Sequence, residues 1–334
     1  MNKEIIDCAW GDPYFLLEIL QNLYEPGLYA PLSIKDCNYA PDLGEEKLLK
    51  YCRDITKQTT GREYKYFCIT NGATQAINST LRSWYNNKII DIVWTSKLGY
   101  PFYPNMIAKT GLIHRKANLS KYMINDLKIN ADFAVIIDSP SNPLGEQTIL
   151  NTNFNNSKCK IWDAVYHNKI YNACPIIQPN HEVYISSFSK LLGLTGARIG
   201  WLATDNKQYF DIITSDSLYE NATVSKPSQR LVIDILDQLD LDHFMLLGKN
   251  SLDQNRQIVQ KLSHLIGTDV QESGMFYCAE VDQKILDIFD LANVKYVVLK
   301  EGSEQYIRLN IGQTSDILNK LVNRIQSIDA KKQP

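Results

Sequence analysis

The sequence predicts an α/β protein, a largely parallel sheet covered by helices on both faces, followed by a smaller α+β region. Two observations carry this. Up to about Gln208, short apolar or β-branched runs alternate with polar or helical stretches, the pattern of strands joined by crossovers. Beyond it, long helical patterns precede three further strand-like runs. A length of 334 residues with 44% hydrophobic side chains is enough for one large domain or two unequal ones.

In order, residues 64–70 read as a strand, and Asn71-Gly72-Ala73-Thr74 turns it into the helical pattern Ile77, Leu81, Trp84. Strand-like runs follow at 89–94, 133–137, 160–162, 183–186 and 199–203. Residues 209–239 and 251–266 read as helices, with Pro227 expected to end or kink the first. Residues 275–281, 294–299 and 306–311 read as strands, and Ile317, Leu318, Leu321, Val322 and Ile325 form the apolar stripe of a final helix. The Asn-rich stretch 151–156 is expected to be a surface loop, and 330–334 to fray. There is no internal repeat.

Bulk properties narrow the function. With 35 basic against 37 acidic side chains, the net charge of -2 makes neither nucleic acid nor an anionic membrane an expected partner, and the ligand should be small. No helix-turn-helix region is evident. Seven cysteines without C-x-x-C pairs suit reduced thiols, and no metal site is expected. Residues 1–10 resemble neither a signal peptide nor a membrane anchor, so a cytoplasmic location is expected.

The segment from Ser186 to Gly200 is the most informative. Lys190 follows a strand, hydroxyls precede it, and Arg198 lies eight residues on. A cofactor bearing an aldehyde and a phosphate calls for this set: the amine bonds the aldehyde, while Ser187 and Arg198 offer hydrogen bonds and positive charge to the phosphate. A surface lysine beside a Gly-rich turn is the plain alternative. The turn at Gly72, Ala73 and Thr74 puts helix-start N–H groups and the positive end of a helix dipole in one place, which suits an anion as well as an ordinary tight turn. Asp163, ending the 160–162 run, suits either a pyridine nitrogen or a turn cap. Arg308, flanked by apolar residues, suits a carboxylate or an edge ion pair.

Together these segments resemble the class I/II aminotransferases, the fold-type I enzymes that use pyridoxal 5'-phosphate (PLP). Six motifs in that family's order span Thr70 to Gly312. The resemblance implies a large α/β/α cofactor domain over 40–225 and a small α+β domain from 1–39 and 226–334. It also implies that Lys190 is the Schiff-base lysine and that Gly72, Ala73, Thr74, Ser187 and Arg198 bind the phosphate. Tyr100, in Gly99-Tyr100-Pro101, would stack on the ring. Asn142, in Asn142-Pro143-Leu144-Gly145, and Tyr166 would bond the ring oxygen, and Asp163 would pair with the ring nitrogen. Arg308 would clamp a substrate carboxylate with Gly11 and Asn142 beside it. Tyr39, five residues before Gly44, would reach the phosphate of a neighbouring subunit, so a homodimer with shared active sites is implied.

The implied activity is transfer of an amino group between an L-amino acid and a 2-keto acid. The 20 residues between Asn142 and Asp163 resemble the compact histidinol-phosphate aminotransferase-like branch. The same site also serves β-lyases, decarboxylases and cyclases, and a non-catalytic binding protein is the alternative of another class.

Overall fold

The structure is a computed structural model that describes residues 4–26, 33–117, 119, 132–147, 157–173 and 182–332. The chain opens with β1 (Ile6–Asp7), α1 (Tyr14–Leu23) and α2 (Glu46–Thr60), then runs through β2 (Tyr66–Thr70), α3 (Gly72–Asn86), β3 (Ile92–Ser96), α4 (Tyr103–Thr110) and β4 (Ile113–Ala117). Next come β5 (Phe133–Asp138), β6 (Cys159–Asp163), β7 (Glu182–Ser187), the short α5 (Phe188–Leu191) and β8 (Gly200–Thr204). Helices α6 (Lys207–Asn221), α7 (Lys226–Gln238), α8 (Leu241–Gln260) and α9 (Ser263–Ile266) lead to β9 (Phe276–Glu280), α10 (Gln283–Leu291), β10 (Val294–Lys295), β11 (Val297–Glu301), β12 (Glu304–Asn310) and α11 (Ser315–Lys332).

Seven strands form the main sheet in the order β2-β8-β7-β6-β5-β3-β4. It is parallel from β4 to β7, and β8 runs antiparallel to both its neighbours, so the expected largely parallel α/β sheet is present. Strand alternation sends Leu202 of β8 to one face, against Ile77 and Trp84 of α3 and Phe210 of α6. Trp201 and Ala203 go to the other, which is continuous with α1, α2, α8 and β9. Sheet burial on both faces explains why β5, Phe-Ala-Val-Ile-Ile-Asp, is almost unbroken apolar sequence. A second sheet, β11-β12-β9, is antiparallel, and β1 pairs in parallel with β10.

Several boundaries differ from the sequence expectation, each for a local reason. Pro227 does not kink a helix: the chain leaves helical geometry at Ala222, where φ is 54°, and Pro227 falls in the first turn of α7, where a missing N–H costs nothing. The helix expected at 251–266 begins ten residues earlier, at Leu241, because the Asp240 side chain caps it by accepting from the His243 N–H at 3.1 Å. The strand expected at 294–299 is two strands, since the chain leaves the β1 pairing and joins β12 on either side of Tyr296. Strand β4, Ile-His-Arg-Lys-Ala, escaped notice because a charged edge strand has no apolar run. The last helix continues through Lys332, so the part of the expected tail at 330–332 is helical. The 151–156 stretch lies outside the described residues. No helix among the described residues is long and apolar enough to cross a membrane, and they contain no cluster of candidate metal ligands.

Candidate active site

The C-terminal ends of β5, β6 and β7 open onto a cavity of about 550 Å³, within the usual range for a small-molecule site. Asp138, Asn142, Asp163, Tyr166, Ser187, Lys190, Arg198 and Arg308 all line it, as do Ala73, Thr74, Tyr100 and Gly11. Residues separated by more than 200 positions in sequence thus meet in one chamber. Tyr39 is not among the lining residues and is 82% exposed.

One end of the cavity is built for an anion. Gly72 begins α3 with φ of +72°; the Asn71 side chain does not cap the helix, and the Asn71 N–H donates to Gln75 Oε1 at 3.0 Å. A Cβ on Gly72 would lie 2.6 Å from the Arg198 guanidinium. Gly200 is as constrained, since a Cβ there would meet Gly72 C, Ser186 O and Ala73 N at 2.7, 2.8 and 2.9 Å. These two glycines let β8, the turn and the arginine close on one another. Arg198 takes a left-handed backbone, φ 54°, and donates to Thr195 O at 2.9 Å. Ser187 caps α5, accepting from the Ser189 N–H at 3.0 Å, and its hydroxyl donates to Ile199 O at 3.1 Å.

Lys190 occupies the middle. Its Nζ donates to Gly11 O at 2.5 Å and its own carbonyl accepts from the Tyr171 hydroxyl at 2.7 Å. Burial pushes its ammonium down to about 8; the Asp12 charge opposes this, and Arg198 and Arg308 add to it. A lysine so placed has neutral amine available near physiological pH.

The far end is acidic. Asp163 is buried, accepts from the Tyr103 hydroxyl at 2.7 Å, and is pushed up to about 6 by burial, with the Tyr103 and Val165 hydrogen bonds opposing. Tyr100 packs edge-on against Tyr103, with ring centroids 5.3 Å apart. Burial raises the Tyr166 phenol well above its ordinary value, and that ring meets Tyr171 and Phe276 edge-on.

Arg308 closes the remaining side from β12. Its guanidinium lies 4.5 Å over the Phe276 ring and donates to Asn142 Oδ1 at 3.2 Å and Ala9 O at 2.9 Å, while its Nε, buried, has no hydrogen-bond partner. Burial lowers its proton affinity without approaching neutrality.

The chain matches the family model for aminotransferases of class I and II over residues 35–325. It belongs to the class I and II aminotransferases. Members of that family depend on PLP, and the chamber fits the cofactor: a cradle closed by Gly72 and Gly200 for the phosphate, an amine in the centre for the aldehyde, and a buried carboxylate opposite for the ring nitrogen. Among curated relatives, the (5-formylfuran-3-yl)methyl phosphate transaminase of Methanocaldococcus jannaschii is 25% identical over 68% of this chain and 66% of its own, just under two thirds of that relative. The aspartate aminotransferase of Thermotoga maritima is 22% identical over 77% of this chain and 74% of its own. Among solved structures, a Methanococcus jannaschii protein described as similar in its active site to kynurenine aminotransferases superposes with a TM-score of 0.78, at 19% identity, over 97% of this chain and 92% of that one. The fold is therefore that of the fold-type I aminotransferases.

Four cavity residues, Asp138, Tyr103, Phe276 and Asp12, were given no role by the motifs. Tyr103 stands three residues after Tyr100 and begins α4, its N–H donating to Tyr100 O at 3.1 Å, so the turn brings the two rings together. Asp138 offered only its position at the end of an apolar strand, and Phe276 looked like any core aromatic.

Proposed function

We propose that this chain moves an amino group between an L-amino acid and a 2-keto acid, with Lys190 as the residue that bonds the cofactor and shuttles the proton. Bound in the chamber, PLP supplies an aldehyde for amines and a ring that accepts electrons. Gly72, Ala73, Thr74, Ser187 and Arg198 hold the phosphate. Asp163, kept in place by Tyr103, keeps the ring nitrogen protonated. Asn142 and Tyr166 bond the ring oxygen, and Tyr100 lies against the ring face.

Arg308 takes the α-carboxylate in a planar fork beside Gly11, exchanging its bond to Ala9 O for the substrate while Asn142 holds it in place. Lys190 Nζ would be the base that takes the proton from the substrate's α-carbon and passes it on. The observation that carries the reading is the convergence of Lys190, Asp163 and Arg308 on one cavity. The transaminase and aminotransferase names of the two curated relatives support it.

The same reading divides the chain into a cofactor part, 40–225, and a smaller part, 1–39 with 226–334; the β1–β10 pairing supports joining the two segments. It includes a homodimer with shared sites, supported by the exposed ring of Tyr39 and tested by sedimentation at several protein concentrations. A cytoplasmic place goes with it, supported by free thiols at Cys8, Cys37, Cys52, Cys68, Cys159 and Cys278.

The deciding experiment mixes PLP-loaded protein with single amino acids and follows the lysine-linked cofactor absorbance, with Lys190→Ala as control. Loss of that absorbance with stoichiometric keto acid and pyridoxamine phosphate is expected. Ammonia or carbon dioxide in their place would assign a lyase or decarboxylase, and a wild-type protein that never shows the absorbance ends the reading.

A further inference from the structure

The main sheet sets two carboxylates side by side where the motifs account for one. Parallel strands β5 and β6 are in register with Asp138 opposite Asp163, and neighbouring strands lie about 4.8 Å apart. Both side chains are buried, at 3% and 6% exposure, and both line the cofactor cavity. We propose that Asp138 is a positioning residue: it holds Asn142 through the backbone and, beside Asp163, sets the charge that the cofactor's ring nitrogen meets. This rests on the cofactor reading above.

The first half of the role is visible in hydrogen bonds. Asp138 Oδ2 accepts from the Asn142 N–H at 3.0 Å, and Asn142 Oδ1 accepts from Arg308 at 3.2 Å. One short relay therefore joins the ring-nitrogen end of the chamber to the substrate-carboxylate end. The second half follows from charge. The titratable groups facing Asp138 are Asp163 from β6, Tyr103 from α4 and Glu146 from the turn after β5. Burial pushes Asp138 up to about 7, the Asn142 N–H opposes this, and the Asp163 charge adds to it.

Like carboxylates in one buried site do not ionise together freely. Between about pH 6, where Asp163 ionises, and neutrality the ring nitrogen therefore faces one negative charge, that of Asp163. Above it Asp138 adds a second, which favours the protonated ring and so tightens cofactor binding. No bond is made or broken by Asp138 itself.

Asp138→Asn tests this, because the amide keeps an oxygen for the Asn142 N–H and removes only the charge, whereas Asp138→Ala removes both. The readout is the dissociation constant of PLP from the apoprotein between pH 5.5 and 8.5. For Asp138→Asn, the ratio to wild type is expected to climb from near one at the acid end to roughly three- to tenfold at the alkaline end. Asp138→Ala is expected to raise KM for the amino acid beyond Asp138→Asn, since Asn142 and through it Arg308 lose their hold.

A ratio that stays flat across pH overturns the charge role, and equal KM values for the two variants overturn the relay. Should a variant fail to fold, the wild-type cofactor absorbance decides: a distinct step near pH 7 supports the proposal, and a featureless titration through that region refutes it. If wild type binds no PLP at all, the cofactor reading fails first, and the two failures are distinguishable.

Discussion

Gly200→Ala isolates one packing requirement at the phosphate end. Gly200 sits between Thr70 of β2 and Ser187 of β7 in the sheet. An added methyl would face three backbone atoms at 2.7, 2.8 and 2.9 Å, two of them the carbon and nitrogen of the Gly72–Ala73 peptide bond. Ordinary contact needs about 3.4 Å, so that peptide or the sheet must move by roughly 0.5 Å or more. No flexible side chain stands there to give way.

Overpacking of this kind costs about 1–3 kcal/mol, a melting-temperature loss of roughly 2–4 °C per kcal/mol for a protein somewhat smaller than this one. On the proposed phosphate role of this turn, displacing its N–H would remove a charge-assisted hydrogen bond, and PLP affinity should fall on the order of tenfold or more. Thermal melts of the apoprotein and PLP titration read the two effects separately. Gly196→Ala is the control in the same segment: a Cβ there meets nothing within 4 Å, and both measurements should match wild type. If Gly200→Ala and Gly196→Ala behave alike, the cradle is not as tight as described and the packing argument is wrong.

Three further outcomes are expected. Arg308→Lys keeps the charge but not the fork, so kcat/KM for an amino acid should drop by roughly tenfold or more while PLP affinity holds; a stopped assay with varied amino acid and keto acid checks it. Because burial holds Lys190 down at about 8, the apoprotein amine is protonated and unreactive below that value and free above it. The rate of PLP capture should therefore rise with pH through about 8 and level off, and a midpoint near the ordinary lysine value in stopped-flow absorbance would contradict the burial argument. Tyr103→Phe removes the hydroxyl that donates to Asp163 and should cost about 1–3 kcal/mol of cofactor binding, read by PLP titration, with little change in KM.

What could be read from sequence was what is local. The strand-turn-helix at Gly72, the Lys190 segment and the Asn142 turn each pack their information into a few consecutive residues, so their types and order pointed to a phosphate, an aldehyde and a ring. Asp138 and Tyr103 escaped because their meaning lies in strand register and in the side of α4 that faces β6, neither of which a single segment displays. Gly200 was quoted within a motif, yet its need to be glycine comes from the Gly72–Ala73 peptide bond more than a hundred positions away. The β10–β11 division was hidden for a similar reason: both strands are short and apolar, and only their different partners separate them.

The hydrogen bonds that seat residues 7–12 have a consequence for how the molecule is made. Ala9 O accepts from Arg308, Asp12 O from Asn310 and Asp7 O from Gln313, across separations of 299, 298 and 306 residues. Contacts so remote in sequence form late, and on a ribosome adding about 5–20 residues per second the early segment waits on the order of fifteen seconds or more for its partners to be synthesised. During that interval the main sheet can assemble around the phosphate turn, whereas the substrate side of the chamber cannot exist. Acquisition of cofactor can therefore precede acquisition of activity, and fragments released before Arg308 should capture PLP without turning over an amino acid.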